Sequence, residues 1–218
     1  MTIGGVSATN LVVINNTTLN AVTPAHTAGL VDVSVTTPYG SATLNNAFTY
    51  VATAIGQPTN GGKVACLMSS GGFDLIASTN DNSPGVIWST DTGTNTGATS
   101  LTNGANNTTL IVASAGGTPV SAAKVCSDYQ IDSQGNSPCM TGACYNDWYL
   151  PAKDQLNCLH TNEVAIGNFS NADYWSSTEA SASDAWYQVM IGGAFQGTSN
   201  KLTSPFYVRC VRSFTPYP

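Results

Sequence analysis

The sequence predicts an α+β chain in two parts, a small all-β module followed by a larger disulfide-bearing domain. Three observations predict it. Only 8% of residues are charged, and Ser, Thr, Asn and Gly take the surface instead, a composition that suits strands and turns. All six Cys and all four Trp lie beyond residue 62, so the composition changes sharply there. Apolar residues alternate in period two at the start and the end of the chain and follow helical spacing only between.

The net charge of −6 excludes broad nucleic-acid binding, which needs a basic footprint. It disfavours sulfated polysaccharide as well, although Lys201, Arg209 and Arg212 are available for a local basic spot. Six Cys without a C-x-x-C pair read as a disulfide framework from an oxidising compartment. No apolar run reaches the length of a membrane span. Met1-Thr2-Ile3 carries neither a basic nor an apolar leader region, so the chain is expected to be trimmed from a longer precursor.

Residues 1–54 are the first module. Leu11-Val12-Val13-Ile14 is a compact apolar run closed by an Asn15-Asn16 turn. Leu30–Thr36 alternates, with Val31, Val33 and Val35 on one face, and Pro38-Tyr39-Gly40 turns the chain towards Ala47–Val51. This pattern predicts a half-buried antiparallel sheet. The order of IGGVSATN, PAHTAGLVDVSVTTPYG and AFTYV resembles the second half of an immunoglobulin-like IPT/TIG domain, which implies a spacer or structural partner whose earlier strands come from elsewhere. His26 reads as a solvated loop histidine.

Residues 55–62 are a Gly-containing, uncharged linker, and residues 63–218 form the second domain. Lys63–Leu67 and Phe73–Ala77 are candidate strands, Ile87-Trp88 is a third apolar unit, and residues 90–109 read as a loop. Val120–Tyr129, after Pro119, is helix-like and carries Cys126; Ala152–Asn162 is a second helix with Leu156, Leu159 and Cys158. Strand order returns from Tyr174 to the end. Spacing leaves the disulfide pairing open, with Cys126–Cys158, Cys139–Cys144 and Cys66–Cys210 preferred.

The strings YNDWYLPAKDQLNCL at 145–159, IGNFS at 166–170, YWSSTE at 174–179, Ala185-Trp186, Gly193 and VRCVRSF at 208–214 resemble one family over residues 61–214. It is the C-terminal ligand-binding domain of the Legionella collagen-like adhesin and its bacterial surface relatives. The resemblance implies a C-type-lectin-like fold of the formylglycine-generating-enzyme type. Within that family the chain is most similar to retroelement-diversified variable proteins, such as a Legionella surface lipoprotein. There a terminal cassette is rewritten at adenines, so variable positions never become Gln, Glu, Lys, Met or Trp.

That constraint is tested by alternation. In a strand from Ala185, Trp186, Gln188 and Met190 share one face, whereas Tyr187, Val189 and Ile191 share the other. The first set is of excluded types and the second of permitted ones. Phe195, Thr198, Leu202, Ser204 and Phe206 continue the permitted set, as do Ala180, Ser181, Ser183 and Asp184 before it. These twelve are the expected ligand-binding face. Trp175, Trp186, Arg209 and Arg212 are the expected scaffold, with the arginines paired to Glu179 or Asp173 and Cys210 bridged.

Catalysis is not expected. An oxidase of the formylglycine type needs a reactive cysteine pair near the C-terminus, where only Cys210 stands. His26 and His160 lie in different domains and no G-x-S-x-G occurs, so a hydrolase triad has no materials. Asp173 with Glu179 or Asp184 is the remaining carboxylate pairing, read as surface charge. No metal or cofactor is expected; Asn146-Asp147 falls inside the family string. The expected protein is a non-enzymatic surface receptor, lipid-anchored or secreted, for an unknown protein or glycan; the alternative is a fixed polysaccharide-binding adhesin.

Overall fold

The computed structural model describes residues 1–26, 29–50, 54–67, 73–91, 93–114, 121–190, 192 and 195–214. The chain divides into two compact units, Met1–Thr53 and Ala54–Pro216.

In the first unit β1 (Thr2–Ile3), β2 (Val6–Ser7), β5 (Gly29–Thr37) and β6 (Gly40–Tyr50) form a sheet in the order β2-β1-β5-β6. The intervening β3 (Thr9–Asn15) and β4 (Thr18–Val22) make a separate hairpin. Its turn is held by Asn15, whose side-chain oxygen accepts from the Thr17 N–H at 2.9 Å, as Asn does in tight turns. Val31, Val33 and Val35 are half-buried on one side of β5. The apolar run of β3 differs from them, because Leu11, Val12, Val13 and Ile14 all stay exposed.

The second unit is built on a five-stranded sheet of β10 (Ser83–Val86), β13 (Asp173–Glu179), β14 (Asp184–Val189), β15 (Gln196–Asn200) and β16 (Phe206–Val208), ordered β10-β16-β13-β14-β15. Only β13 and β16 pair in parallel. A four-stranded sheet joins β17 (Val211–Ser213), β9 (Leu75–Ala77), β8 (Gly62–Cys66) and β7 (Pro58–Thr59). A short ribbon pairs β11 (Ile131–Asp132) with β12 (Cys144–Tyr145).

The helices described are α1 (Gly104–Ala113), α2 (Ala122–Asp128), α3 (Lys153–Thr161) and α4 (Glu163–Ile166). None is long and apolar enough to cross a membrane. Helix α1 corrects the loop expected over residues 90–109. Its Asn- and Thr-rich sequence has poor helical propensity. The Asn103 side chain caps it by accepting from the Asn106 N–H at 3.0 Å, and Ile111 fixes it in the core. Ser121 caps α2; Pro119 and Val120, expected to start that helix, lie outside the described residues.

Tyr174 and Trp175 explain how the unit has two cores. As neighbours on β13 they point to opposite faces. Trp175 joins Trp88, Ile111, Ala122, Cys126 and Cys210, and Tyr174 joins Leu75, Leu156, Leu159, Cys158 and Cys66. The two Cys-bearing helices therefore lie on opposite sides of one sheet and cannot be stapled together. The bridges are Cys66–Cys158, Cys126–Cys210 and Cys139–Cys144. This corrects the preferred Cys126–Cys158 and Cys66–Cys210 pairs and retains the third; each helix is tied to strand-end sequence instead. Disulfides of this number belong to an oxidising compartment.

Candidate functional site

Strand register brings the terminal residues into rows on one face of the five-stranded sheet. Asp173 pairs with Val189, and the Val189 N–H donates to the Phe195 carbonyl at 3.0 Å. Tyr174 pairs in parallel with Tyr207, which sets Phe206 beside Asp173. One row thus runs Phe206, Asp173, Val189, Phe195 across four strands. The next row is Trp175, Tyr187, Gly197.

Aromatic contacts knit these rows together. Phe206 lies 4.5 Å from Trp175 and 4.9 Å from Tyr187 between ring centroids, and Tyr187 lies 6.3 Å from Phe195. Trp175 is fully buried, and its indole N–H donates to the Val86 carbonyl at 2.9 Å. Tyr187 and Phe206 are half-buried over that floor, while Phe195 is 59% exposed. Gly197 leaves room for the rings, since a Cβ there would stand 2.9 Å from both the Phe195 and the Tyr187 ring. At the outer edge the hydroxyls of Ser199 and Ser204 meet at 2.8 Å.

The opposite face is the support. Gln188 and Met190 are buried there, and the Gln188 amide donates to the Phe195 and Val189 carbonyls at 3.2 Å each, closing the β14–β15 hairpin. Gln196 donates to the Lys153 carbonyl at 2.9 Å. Trp186 departs from the expected buried scaffold. It is half-buried, with the Lys153 ammonium 4.3 Å from its ring centroid, because only the first residue of α3 reaches that far. Thr198 pairs directly with Trp186, and Asp184 shares its parity, so both sit on the support face. Their placement with the ligand-binding set is corrected by the register.

Two turns close the sheet at one end. Ala180 and Ser181 are exposed, and the hydroxyls of Ser181 and Ser183 donate to the Asp184 carboxylate at 3.1 and 2.7 Å. Leu202 is exposed at the tip of the β15–β16 turn. Between the turns Lys201 is completely buried and donates to Glu179 at 2.6 Å and to the Ala182 carbonyl at 2.9 Å. Glu179 also accepts from the N–H groups of Thr96 and Gly97 at 2.9 and 3.1 Å. Ile191 and Gly193 lie outside the described residues.

The expected arginine partners are corrected. Arg209 is buried and bonds Asp81 together with the Ser78 and Asn168 carbonyls, and Arg212 makes a two-pronged pair with Asp147 at 2.6 and 2.9 Å. The cause is topological. Arg209 follows β16 outwards to the Asp81 loop, and Arg212 on β17 belongs to the other sheet. Glu179 is paired with Lys201 instead. Lys63 donates to the Ile166 carbonyl and Lys124 pairs with Asp128. With Lys153 and Lys201, all six basic residues are engaged inside the molecule, and no local basic spot forms.

Asp173 and Asp184 lie on opposite faces of the sheet, and Glu179 is committed to Lys201. His26 stacks on Tyr50 at 5.0 Å in the first unit, and His160 stands 4.0 Å from Glu163 in the second. Of the expected face, the structure gathers Tyr187, Val189, Phe195, Phe206 and Ser204. It sets Ala180, Ser181, Ser183 and Leu202 apart in the turns. Sequence reasoning missed Asp173, Gly197 and Ser199; parity from Trp175 and Tyr187 was the signal that finds them.

Residues 77–212 match the family model of the Lcl C-terminal domain, and residues 1–50 match that of the IPT/TIG domain. No curated protein matches the chain. Among solved structures, a fimbrial protein from Bacteroides ovatus shares 14% identity over 95% of this chain, with a TM-score of 0.46. The chain spans 64% of that protein's length.

Proposed function

The chain belongs to the Lcl C-terminal domain family, and from that premise we propose a non-enzymatic bacterial surface protein that holds a ligand on the Tyr187 face. The surface placement, by lipid anchor or secretion, is supported by the family match and by the three disulfides. A C-type-lectin-like fold for the second domain is part of the proposal and rests on the resemblance of its residue strings to that family.

One observation carries the function: an open aromatic face in which Phe195 is exposed and Tyr187 and Phe206 are half-buried over Trp175. Phe195 protrudes, and Tyr187 and Phe206 cap a core that Trp175 already fills. Exposed, rigid aromatics are the anchors that dominate interfaces. The hairpin beneath is held from the other side, by Gln188, Gln196 and Lys201. The same split supports diversification. The solvent-accessible positions of the open face, Asp173, Val189, Phe195, Tyr187, Gly197, Ser199, Ser204 and Phe206, are all of permitted types; of the excluded types, Trp175 is buried beneath them and Trp186, Gln188, Met190 and Gln196 stand behind. Polysaccharide binding through sulfates draws no support, because Lys201 and Arg209 are buried in ion pairs and Arg212 is paired with Asp147.

Comparison of genomic copies of the terminal cassette tests this proposal. A second copy should differ at adenines, with coding changes at the codons of the open face. Changes spread equally over the codons of Trp186, Gln188 and Met190 would overturn it.

A further inference from the structure

Asp173 stands where a carboxylate has no ordinary reason to be. It occupies the middle of an apolar row, flanked by Phe206 and Val189, with Trp175 and Tyr187 in the adjoining row. The carboxylates at the other end of β13 and β14 are satisfied, Glu179 by Lys201 and Asp184 by two serine hydroxyls. Asp173 has no hydrogen bond or ion pair among the described residues. A partly desolvated carboxylate without a protein donor gains from one that a partner brings. Burial accordingly raises its carboxyl above the ordinary aspartate range.

None of the six Lys and Arg supplies that donor: Lys63, Lys124, Lys201, Arg209 and Arg212 bond other groups, and the Lys153 ammonium lies over the Trp186 ring on the opposite face. The spot is open to a partner, since Asp173 keeps part of its surface exposed, as does Phe195 two strands away in the same row. A negative charge in a row with Phe206, next to the row that holds Trp175 and Tyr187, suits a cationic side chain. Cations are attracted to aromatic faces, and a planar guanidinium stacks on a ring while its N–H groups reach a carboxylate. We propose that the open face recognises an arginine or lysine side chain presented by a protein partner, with Asp173 as the ion-pairing group and Tyr187, Phe195 and Phe206 as its aromatic walls. This proposal rests on the ligand-binding reading of the same face and narrows it to a basic partner. The chain's own charge of −6 draws such a partner in.

The probe is the peptide acetyl-Gly-Ser-Arg-Ser-Gly-amide, titrated into the intact chain and followed by aromatic ring resonances in NMR. A single stacked guanidinium binds weakly, so saturation is expected at millimolar peptide, with the rings of Tyr187 and Phe195 shifting together. Replacing the peptide's arginine by neutral citrulline should weaken binding about tenfold, the scale of one charge-assisted contact. Asp173→Asn, which keeps shape, should weaken the arginine peptide about tenfold and leave the free protein's ring resonances in place. Phe195→Ala, at an exposed position, provides a second variant that folds.

If citrulline binds as well as arginine, or Asp173→Asn binds undiminished while Phe195→Ala does not, charge selection is wrong although the face still binds. Stronger binding of maltohexaose than of the arginine peptide would replace the protein partner by a glycan. Absence of any ring shift with the arginine peptide overturns the cation site outright. The diversified ligand face is judged separately by the cassette comparison.

Discussion

Replacing Lys201 by Met removes the cation from a pair in which both side chains are buried, 0% exposed for Lys201 and 2% for Glu179. Three things follow from the geometry. The Lys201–Glu179 bond at 2.6 Å and the donation to the Ala182 carbonyl are lost, and Glu179 keeps only the Thr96 and Gly97 N–H groups. The ammonium also leaves its place 4.7 Å from the Trp88 ring centroid. Breaking a buried pair from one side costs roughly 3–5 kcal/mol, because an uncompensated charge remains. For a unit of this size that corresponds to a fall in Tm of roughly 6–20 °C. Adding Glu179→Gln removes the stranded charge but keeps an oxygen for only one of the two N–H groups, so the double variant should regain part of the loss and stay about 1–3 kcal/mol below wild type, the scale of one unmet donor. Urea titration followed by tryptophan fluorescence measures this, since all four Trp lie in the second unit. A cost below about 1 kcal/mol for Lys201→Met, the size of a surface pair, would refute the claim that this ion pair fastens the two turns.

The disulfides should separate by loop length. The entropic treatment gives about 4–5 kcal/mol for Cys66–Cys158 and Cys126–Cys210, which close separations of 92 and 84 residues, and about 2 kcal/mol for Cys139–Cys144, which closes 5. Paired Cys→Ala variants compared by urea titration check the order, and equal losses would contradict it. Acid should loosen the loop around Asp132. Burial works against its charge, but the N–H groups of Thr141, Met140 and Asn136 and the Asn136 side chain outweigh it and hold the carboxyl well below the usual carboxylate range. Its stabilisation is therefore complete above the unfolded value of about 3.9 and fades as pH falls through the lowered folded value. Asp132→Asn should melt earlier than wild type at neutral pH, and the gap should close in strong acid; a gap constant with pH would argue against it.

Much of the strand order was legible because alternation is a strong signal where one face is buried, as at Val31, Val33 and Val35 or at Gln188 and Met190. Helix α1 was not, because its Gly, Asn and Thr residues carry no helical propensity and the segment folds on the core only through Ile111 and its Asn103 cap. Disulfide pairing was illegible for a related reason. Two helices each bearing a Cys look like partners until Tyr174 and Trp175 reveal that they cover opposite faces. Ion pairs failed likewise. Arg209 and Asp81 are 128 residues apart, and nothing local announces that a loop will return to meet a strand end.

The misplacement of Thr198 and Asp184 has a more useful cause. Residue type was allowed to decide their face, since both are types the mutagenesis permits, whereas in a sheet parity decides it. Read by parity alone, β13 contributes Asp173 and Trp175 to the open face, β14 contributes Tyr187 and Val189, and β15 contributes Gly197 and Ser199. The face so obtained differs from the type-based one mainly by gaining Asp173, a charge that no Lys or Arg among the described residues pairs. A permitted type on the support face, such as Thr198 opposite Trp186, then becomes the sharper control for diversification. If adenine rewriting reaches its codon, selection for ligand contact cannot explain variation there, whereas at Asp173 or Tyr187 it can. Variation at Tyr187 and constancy at Thr198, across copies equally exposed to the mutagenesis, would identify the open face as what selection acts on.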